Sequence, residues 1–254
     1  MESFNKKVVI ITGGSSGIGL ATAESLLRNN YKVAIVGRDI TKGKQAEKKL
    51  KLIAAECQFF QADISQVAEC ERVVQAVVNF FGHVDALINS AGVYLEKLLA
   101  EMTEKDYQEL MDINVKGTYF MCKYVVPELR KTSAGAIVNV SSDAGQNGNL
   151  LCSAYCASKG AVNTFTKALA LELSPYNIRV NAVCPGDIDT PLTRAQLSTY
   201  PNPEACLKEM QSLYPSNRIG KAEEVAAVIA FLLSDAASFV VGALWAVDGG
   251  ITAC

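Results

Sequence analysis

One histidine, no Cys-x-x-Cys pair, no run of basic residues and no apolar stretch long enough to span a bilayer: each shortage closes off a class of function. The eight cysteines, at 57, 70, 122, 152, 156, 184, 206 and 254, are scattered and have only His83 to help them bind a metal, so zinc spacing is absent and no metal is expected. His83 lies in Phe81-Gly82-His83-Val84-Asp85, where a helix gives way to a strand, and no role is assigned to it. The net charge of −2 and the absence of basic runs argue against nucleic acid and anionic membrane surfaces as partners. Met1 to Lys7 is short and polar and leads into Val8-Val9-Ile10-Ile11, which is too brief for a signal segment or a spanning helix. With no signal, a secreted disulfide framework is not expected, and the cysteines read as reduced core residues of a cytoplasmic protein.

What is present is apolar bulk. Half of the 254 residues are hydrophobic, enough for one large core, and a chain of this length is ordinary for a single α/β domain. No repeat, low-complexity stretch or linker interrupts residues 1–254.

Lys7 to Thr12 reads as a strand buried on both faces, and Gly13-Gly14-Ser15-Ser16-Gly17-Ile18-Gly19 follows, opening a helix to about Asn29. A glycine turn between strand and helix lets the backbone approach a pyrophosphate and presents N–H groups and the positive end of a dipole to it. The second strand, Lys32 to Val36, ends in Gly37-Arg38 rather than in an acidic residue. Arg38 suits a 2′-phosphate, so NADP(H) is preferred over NAD(H); Asp39 could still reach a ribose and keeps NAD(H) possible.

A basic helix (41 to 52), a strand (57 to 61) ending at Asp63-Ile64, a helix (67 to 81) and a strand (86 to 89) before Ser90-Ala91-Gly92 follow in turn. That alternation implies a parallel, doubly wound sheet with its ligand at the carboxyl ends of the strands. Thr103-Glu104-Lys105-Asp106 resembles a capping box with Asp in the Glu place, starting a long helix toward Lys131 that Pro127 bends or ends. Asn114 inside that helix needs a reason, either a local kink or a contact. Strands are expected at 136 to 140, 179 to 183 and 243 to 247, and a helix at 222 to 234. Asp187 to Tyr214 lacks strand character and is read as a substrate lid near 190–215.

Tyr155 and Lys159 stand four residues apart in a helix expected from Ser153 to Leu173, so both side chains leave one face. A phenol titrates near 10, and to exchange a proton at neutral pH it must come down by roughly 2 to 3 units, or about 3 to 4 kcal/mol. An ammonium nearby favours the phenolate, and a cationic cofactor ring would add to the effect. Ser141 or Ser142, at the end of the preceding strand, could bind a substrate carbonyl or simply satisfy the loop backbone.

Taken together, Thr12-Gly13-x-x-x-Gly17-Ile18-Gly19, Asp63, Asn89-x-Ala91-Gly92, Asn114, Ser142, Tyr155-x-x-x-Lys159, Pro185-Gly186-x-x-x-Thr190 and the closing Val247-Asp248-Gly249-Gly250 resemble the short-chain dehydrogenase/reductase family across essentially the whole chain. The resemblance implies a single NAD(P)-binding Rossmann-type domain of about seven parallel strands with helices on both faces, assembled as a homotetramer or homodimer. It implies that Tyr155 is the general acid/base, that Lys159 holds the nicotinamide ribose and lowers the phenol pKa, and that Ser142 orients the carbonyl. Asn114 would hold a water linking Lys159 to solvent. Gly13, Ser15, Ser16, Gly17, Ile18 and Gly19 would serve the pyrophosphate end and Asp63 with Ile64 the adenine. Asn89, Ala91 and Gly92 would line the adenosine side, Ile188 and Thr190 the carboxamide end of the nicotinamide, and Pro185 and Gly186 would belong to the cofactor site. Ser90 in place of a second Asn and Ser16 in place of a basic residue depart from the family pattern, which leaves Arg38 to carry the preference for NADP(H). The expected reaction interconverts a carbonyl and a secondary alcohol on a small molecule, as in ketoacyl reductases or small ketone and sugar dehydrogenases. The competing reading is a regulator that senses NADP(H) without turnover.

Overall fold

The computed structural model describes residues 6–253, so the readings of Met1 to Asn5 and of the Cys254 thiol lie outside the described residues. The strands in chain order are β1 (Val8–Thr12), β2 (Lys32–Gly37), β3 (Cys57–Gln61), β4 (Ala86–Asn89), β5 (Gly135–Val140), β6 (Ile178–Pro185), β7 (Ile188–Asp189), β8 (Gly220–Lys221) and β9 (Leu244–Val247). The α-helices are α1 (Gly17–Arg28), α2 (Ile40–Leu50), α3 (Val67–Phe81), α4 (Glu104–Met111), α5 (Thr118–Leu129), α6 (Ser153–Leu173), α7 (Pro191–Leu197), α8 (Pro203–Ser212) and α9 (Ala222–Leu233).

Seven strands form one parallel sheet in the order β3-β2-β1-β4-β5-β6-β9. Val8–Thr12 is buried at every position because both faces are covered, and the period of two sends neighbours to opposite cores. Ile10, Leu87 and Ile137 pack with Val73 and Val77 of α3, Met121 and Val125 of α5, and Leu169 and Leu173 of α6. Ile11, Ile35 and Val138 pack on the other side with Leu26 of α1, Leu50 of α2, and Val225 and Ile229 of α9. Each fully buried branched side chain contributes about 1.5–3 kcal/mol, so these two layers dominate the stability.

After β3 the chain crosses back to place β4 beside β1, and the strand order reverses between those two strands. At such a reversal the connections leave in opposite directions and open a crevice at the strand carboxyl ends. The functional residues expected from the sequence converge there.

Two elements differ from expectation. The long helix from Glu104 is interrupted by a π-helical turn at Asp112–Gly117, which contains Asn114. Thr103 and Asp106 do form the expected capping box, and Pro127 sits in the last turn of α5, which ends at Leu129. The stretch after Asp187 is not free of strand: β7 pairs with β8, Ile188 opposite Gly220. Helices α7 and α8 then fold over a small core of their own, with Leu197, Met210 and Tyr214 buried together.

Candidate active site

The floor of the crevice is the turn after β1. Thr12 Oγ1 accepts from the backbone N–H groups of Ser90 and Ala91, each at 3.1 Å, which ties the end of β1 to the loop after β4. Gly13 adopts φ +67°, and a Cβ there would lie 2.9 Å from the Ala91 backbone, so a side chain is excluded on both counts. Ser16 occupies the N-cap of α1 yet makes no side-chain capping bond. The first turn of α1 therefore faces the crevice without its own serine as acceptor, the arrangement that suits an incoming phosphate.

At the end of β2, Arg38 lines the crevice together with Lys42. Asp39, the residue that could have favoured NAD(H), is engaged as the N-cap of α2, its Oδ1 accepting from Lys42 N at 3.0 Å. Asp63 Oδ1 likewise accepts from Ser65 N at 3.0 Å and shapes the turn after β3. Lys42 was not singled out from the sequence; its signal is its place in the first turn of α2, just after Arg38.

Helix α6 begins at Ser153, as the spacing predicts, and carries Tyr155 and Lys159 into the same crevice, where Ser142 from the end of β5 joins them. Lys159 is buried, its Nζ donates to Val140 O at 3.0 Å and lies 5.7 Å from the centre of the Tyr155 ring. Burial pulls its pKa down to about 8. Burial also pushes the Tyr155 phenol above its ordinary value; a hydrogen bond with Ser142 opposes that shift, and the charges of Asp143 and Asp187 reinforce it. The expected lowering by Lys159 is thus not the prevailing effect: withdrawal from water outweighs an ammonium that is itself held toward neutrality. Tyr94, whose sequence position suggests an apolar substrate contact, packs edge-on against Tyr155 with ring centres 4.9 Å apart.

The crevice, about 400 Å³, is lined by Gly13, Ser15, Ser16, Gly17, Ile18, Arg38, Asp63, Ile64, Ala91, Gly92, Ser142, Tyr155, Lys159, Pro185, Gly186, Ile188 and Thr190. Three expected residues stand behind it instead. A Cβ on Gly19 would lie 2.5 Å from Gly13 O, so this glycine lets α1 pack against the turn. Asn89 is buried, donating to Asn139 Oδ1 at 2.9 Å. Asn114 braces the wall: its Oδ1 accepts from Val93 N at 2.9 Å, and its Nδ2 donates to Val93 O at 3.0 Å and to Ser158 Oγ at 3.1 Å. The glycine turn, the uncapped helix end and the Arg38–Lys42 pair make a cradle that fits a phosphorylated dinucleotide, and the phenol stands at its other end.

Among the described residues no group of His, Cys, Asp or Glu could hold a metal ion, and no helix is long and apolar enough to cross a membrane. The seven described cysteines are free thiols.

Residues 13–252 match the family model described as "Enoyl-(Acyl carrier protein) reductase". An oxidoreductase of Thermotoga maritima with no assigned substrate is 39% identical over 251 residues, with 99% of each chain covered. A 3-oxoacyl-acyl-carrier-protein reductase of the same organism is 38% identical over 247 residues, covering 96% of this chain and 97% of the relative. The solved structure of ElxO with NADP bound superposes with a TM-score of 0.91 at 33% identity, covering 98% of this chain and all of that one. The chain belongs to the short-chain dehydrogenase/reductase family of oxidoreductases.

Proposed function

We propose that the chain is one NAD(P)-binding domain, an NADP(H)-dependent enzyme that interconverts a carbonyl and a secondary alcohol, with Tyr155 as general acid/base. The observation that carries this reading is the Tyr155 phenol, with Ser142 lining the same cleft and Lys159 Nζ 5.7 Å from its ring centre, at one end of a cleft whose other end is the glycine turn. The cofactor, when bound, supplies or accepts the hydride. Arg38, with Lys42 beside it, would hold the 2′-phosphate, and the first turn of α1 the pyrophosphate. The NADP bound to ElxO supports that preference in a relative.

Ser142, its hydroxyl turning from Asp143 Oδ1 to the substrate, would donate to the carbonyl oxygen and fix its distance from the phenol. Tyr155 would donate in reduction and accept in oxidation: in reduction its proton passes to the oxygen as the carbonyl becomes an alcohol, and because burial raises the phenol, the positive charge beside it must offset that shift for the transfer to run at neutral pH. Lys159 would then face a developing phenolate and stabilise it. Asn114 would keep Val93 and Ser158 in place beneath Lys159, and the water relay is assigned to its neighbourhood. The same reading makes the protein a cytoplasmic homotetramer acting on a small molecule. The test is NADPH consumption, with NADH in parallel, across ketones, ketoacyl thioesters, quinones and keto sugars. Oxidation of NADPH by one class supports the reading; tight NADPH binding with silence across the panel supports the regulator instead.

A further inference from the structure

The substrate end of the cleft is acidic. Asp143 follows Ser142 directly, its Oδ1 accepting the Ser142 hydroxyl at 2.7 Å and its Oδ2 a longer bond from Asn149 Nδ2 at 3.4 Å. Asp187 follows Gly186 beyond the end of β6, with Tyr214 against it. Both carboxylates line the cleft, and both raise the Tyr155 phenol, so both act at the reacting end. Glu96 stands behind them, accepting from the hydroxyls of Tyr94 (3.3 Å) and Tyr200 (3.2 Å) and from Gln196 Nε2 at 3.2 Å.

Among the described residues, none of the three forms an ion pair with a lysine or arginine. The cations Arg38 and Lys42 lie at the far end: β2 is three strand spacings from β5, roughly 14 Å. Among the described residues that line the cleft, Lys159 is the cation at the reacting end, and its Nζ donates to Val140 O. Asp143 takes Ser142 and Asn149 as donors and Asp187 takes Tyr214, but neither has a cation, and each carboxylate keeps acceptor capacity facing the cleft that a substrate hydroxyl can fill.

The structure assigns to this cleft an uncharged carbonyl substrate that carries hydroxyl groups, selected by Asp143 and Asp187. The assignment rests on the carbonyl/alcohol reading above. Hydroxyls donate to the two carboxylates and add no charge beside Lys159, whereas a ketone bearing a carboxylate meets two like charges. A site built to bond a substrate hydroxyl discriminates against analogues that lack it. An acidic mouth also disfavours substrates delivered on acidic carriers.

The experiment is kcat/KM with NADPH for cyclohexanone, 4-hydroxycyclohexanone, 4-oxocyclohexanecarboxylate and 4-aminocyclohexanone, on the wild type, Asp143→Asn and Asp187→Asn. The hydroxylated ring is expected to exceed the carboxylate by about tenfold or more, and each variant to narrow that ratio by about tenfold. Because Asp143 also touches Ser142, Asp187→Asn is the cleaner variant. A carboxylate preferred or equal to the hydroxylated ring, the amine best of all, or a ratio unmoved in both variants overturns the assignment. Oxidation of NADPH by cyclohexanone with no gain for the hydroxylated ring overturns it too, and leaves the reaction reading standing. The melting temperature of the NADPH complex with each ring reads binding without turnover. Stabilisation by the hydroxylated ring over the carboxylate, without NADPH oxidation, supports the selection and overturns the reaction; neither stabilisation nor oxidation by it overturns the selection.

Discussion

Lys159 is a lysine held under conditions that favour its neutral form. A buried ammonium with one carbonyl partner loses most of its hydration, and a drop from 10.5 to about 8 corresponds to about 3 kcal/mol at about 1.4 kcal/mol per unit. The folded pKa lies below the unfolded one, so between pH 8 and 10.5 the unfolded chain binds more protons and stability rises with pH. Below about 8 the penalty is complete. The difference in unfolding free energy between wild type and Lys159→Met is expected to move in favour of wild type from pH 8 to 10, by up to about 1.4 kcal/mol per unit. Urea denaturation at several pH values measures it, and a difference independent of pH would contradict the burial argument. Arg38→Ala is expected to weaken NADPH by about 1–3 kcal/mol and to leave NADH nearly unchanged; fluorescence titration with both cofactors checks it, and equal losses would misplace the phosphate. Tyr155, Lys159, Ser142 and Arg38 were legible in the sequence because their spacing and their positions at strand ends are local properties. Lys42 and the pair Asp143 and Asp187 were not, because their meaning depends on which loops meet over the cleft. The direction of the phenol shift was also hidden, since it depends on burial and on those carboxylates.

At the level of elements, the π turn at Asp112–Gly117 repays attention. Across this turn Thr118 Oγ1 donates to Asn114 O at 2.9 Å. Both are buried. Thr118→Val is expected to remove that bond and cost about 0.5–1.5 kcal/mol of stability, seen as a lower urea midpoint with an unchanged slope. No change in midpoint would mean that the turn holds itself. The sequence marked Asn114 as needing a reason but could not supply the turn, because one inserted residue barely disturbs the apolar period of a long helix. Two-residue strands such as β7 and β8 were invisible for a related reason: they are too short to show alternation. The sheet strands and α6, by contrast, were read nearly to their ends, since continuous apolar runs and a long helical pattern are strong signals.

On the scale of the molecule, the sheet order does the positioning. Reversal between β1 and β4 opens the crevice, α1 presents its amino end there, and β5 and α6 deliver Ser142, Tyr155 and Lys159 to the same edge. Exposed Tyr107, Tyr119 and Leu171 lie on α4, α5 and α6, apolar surface that association would cover. Sedimentation velocity is expected to show a tetramer, and a monomer at micromolar concentration would remove that expectation. The central claim is that the Tyr155 proton completes a reduction powered by NADPH. The most direct measurement compares wild type with Tyr155→Phe, recording NADPH binding and NADPH oxidation in the same samples with the best ketone. The account predicts unchanged binding and a rate lower by about two to four orders of magnitude. A variant that binds NADPH and still reduces the ketone at the wild-type rate would contradict it.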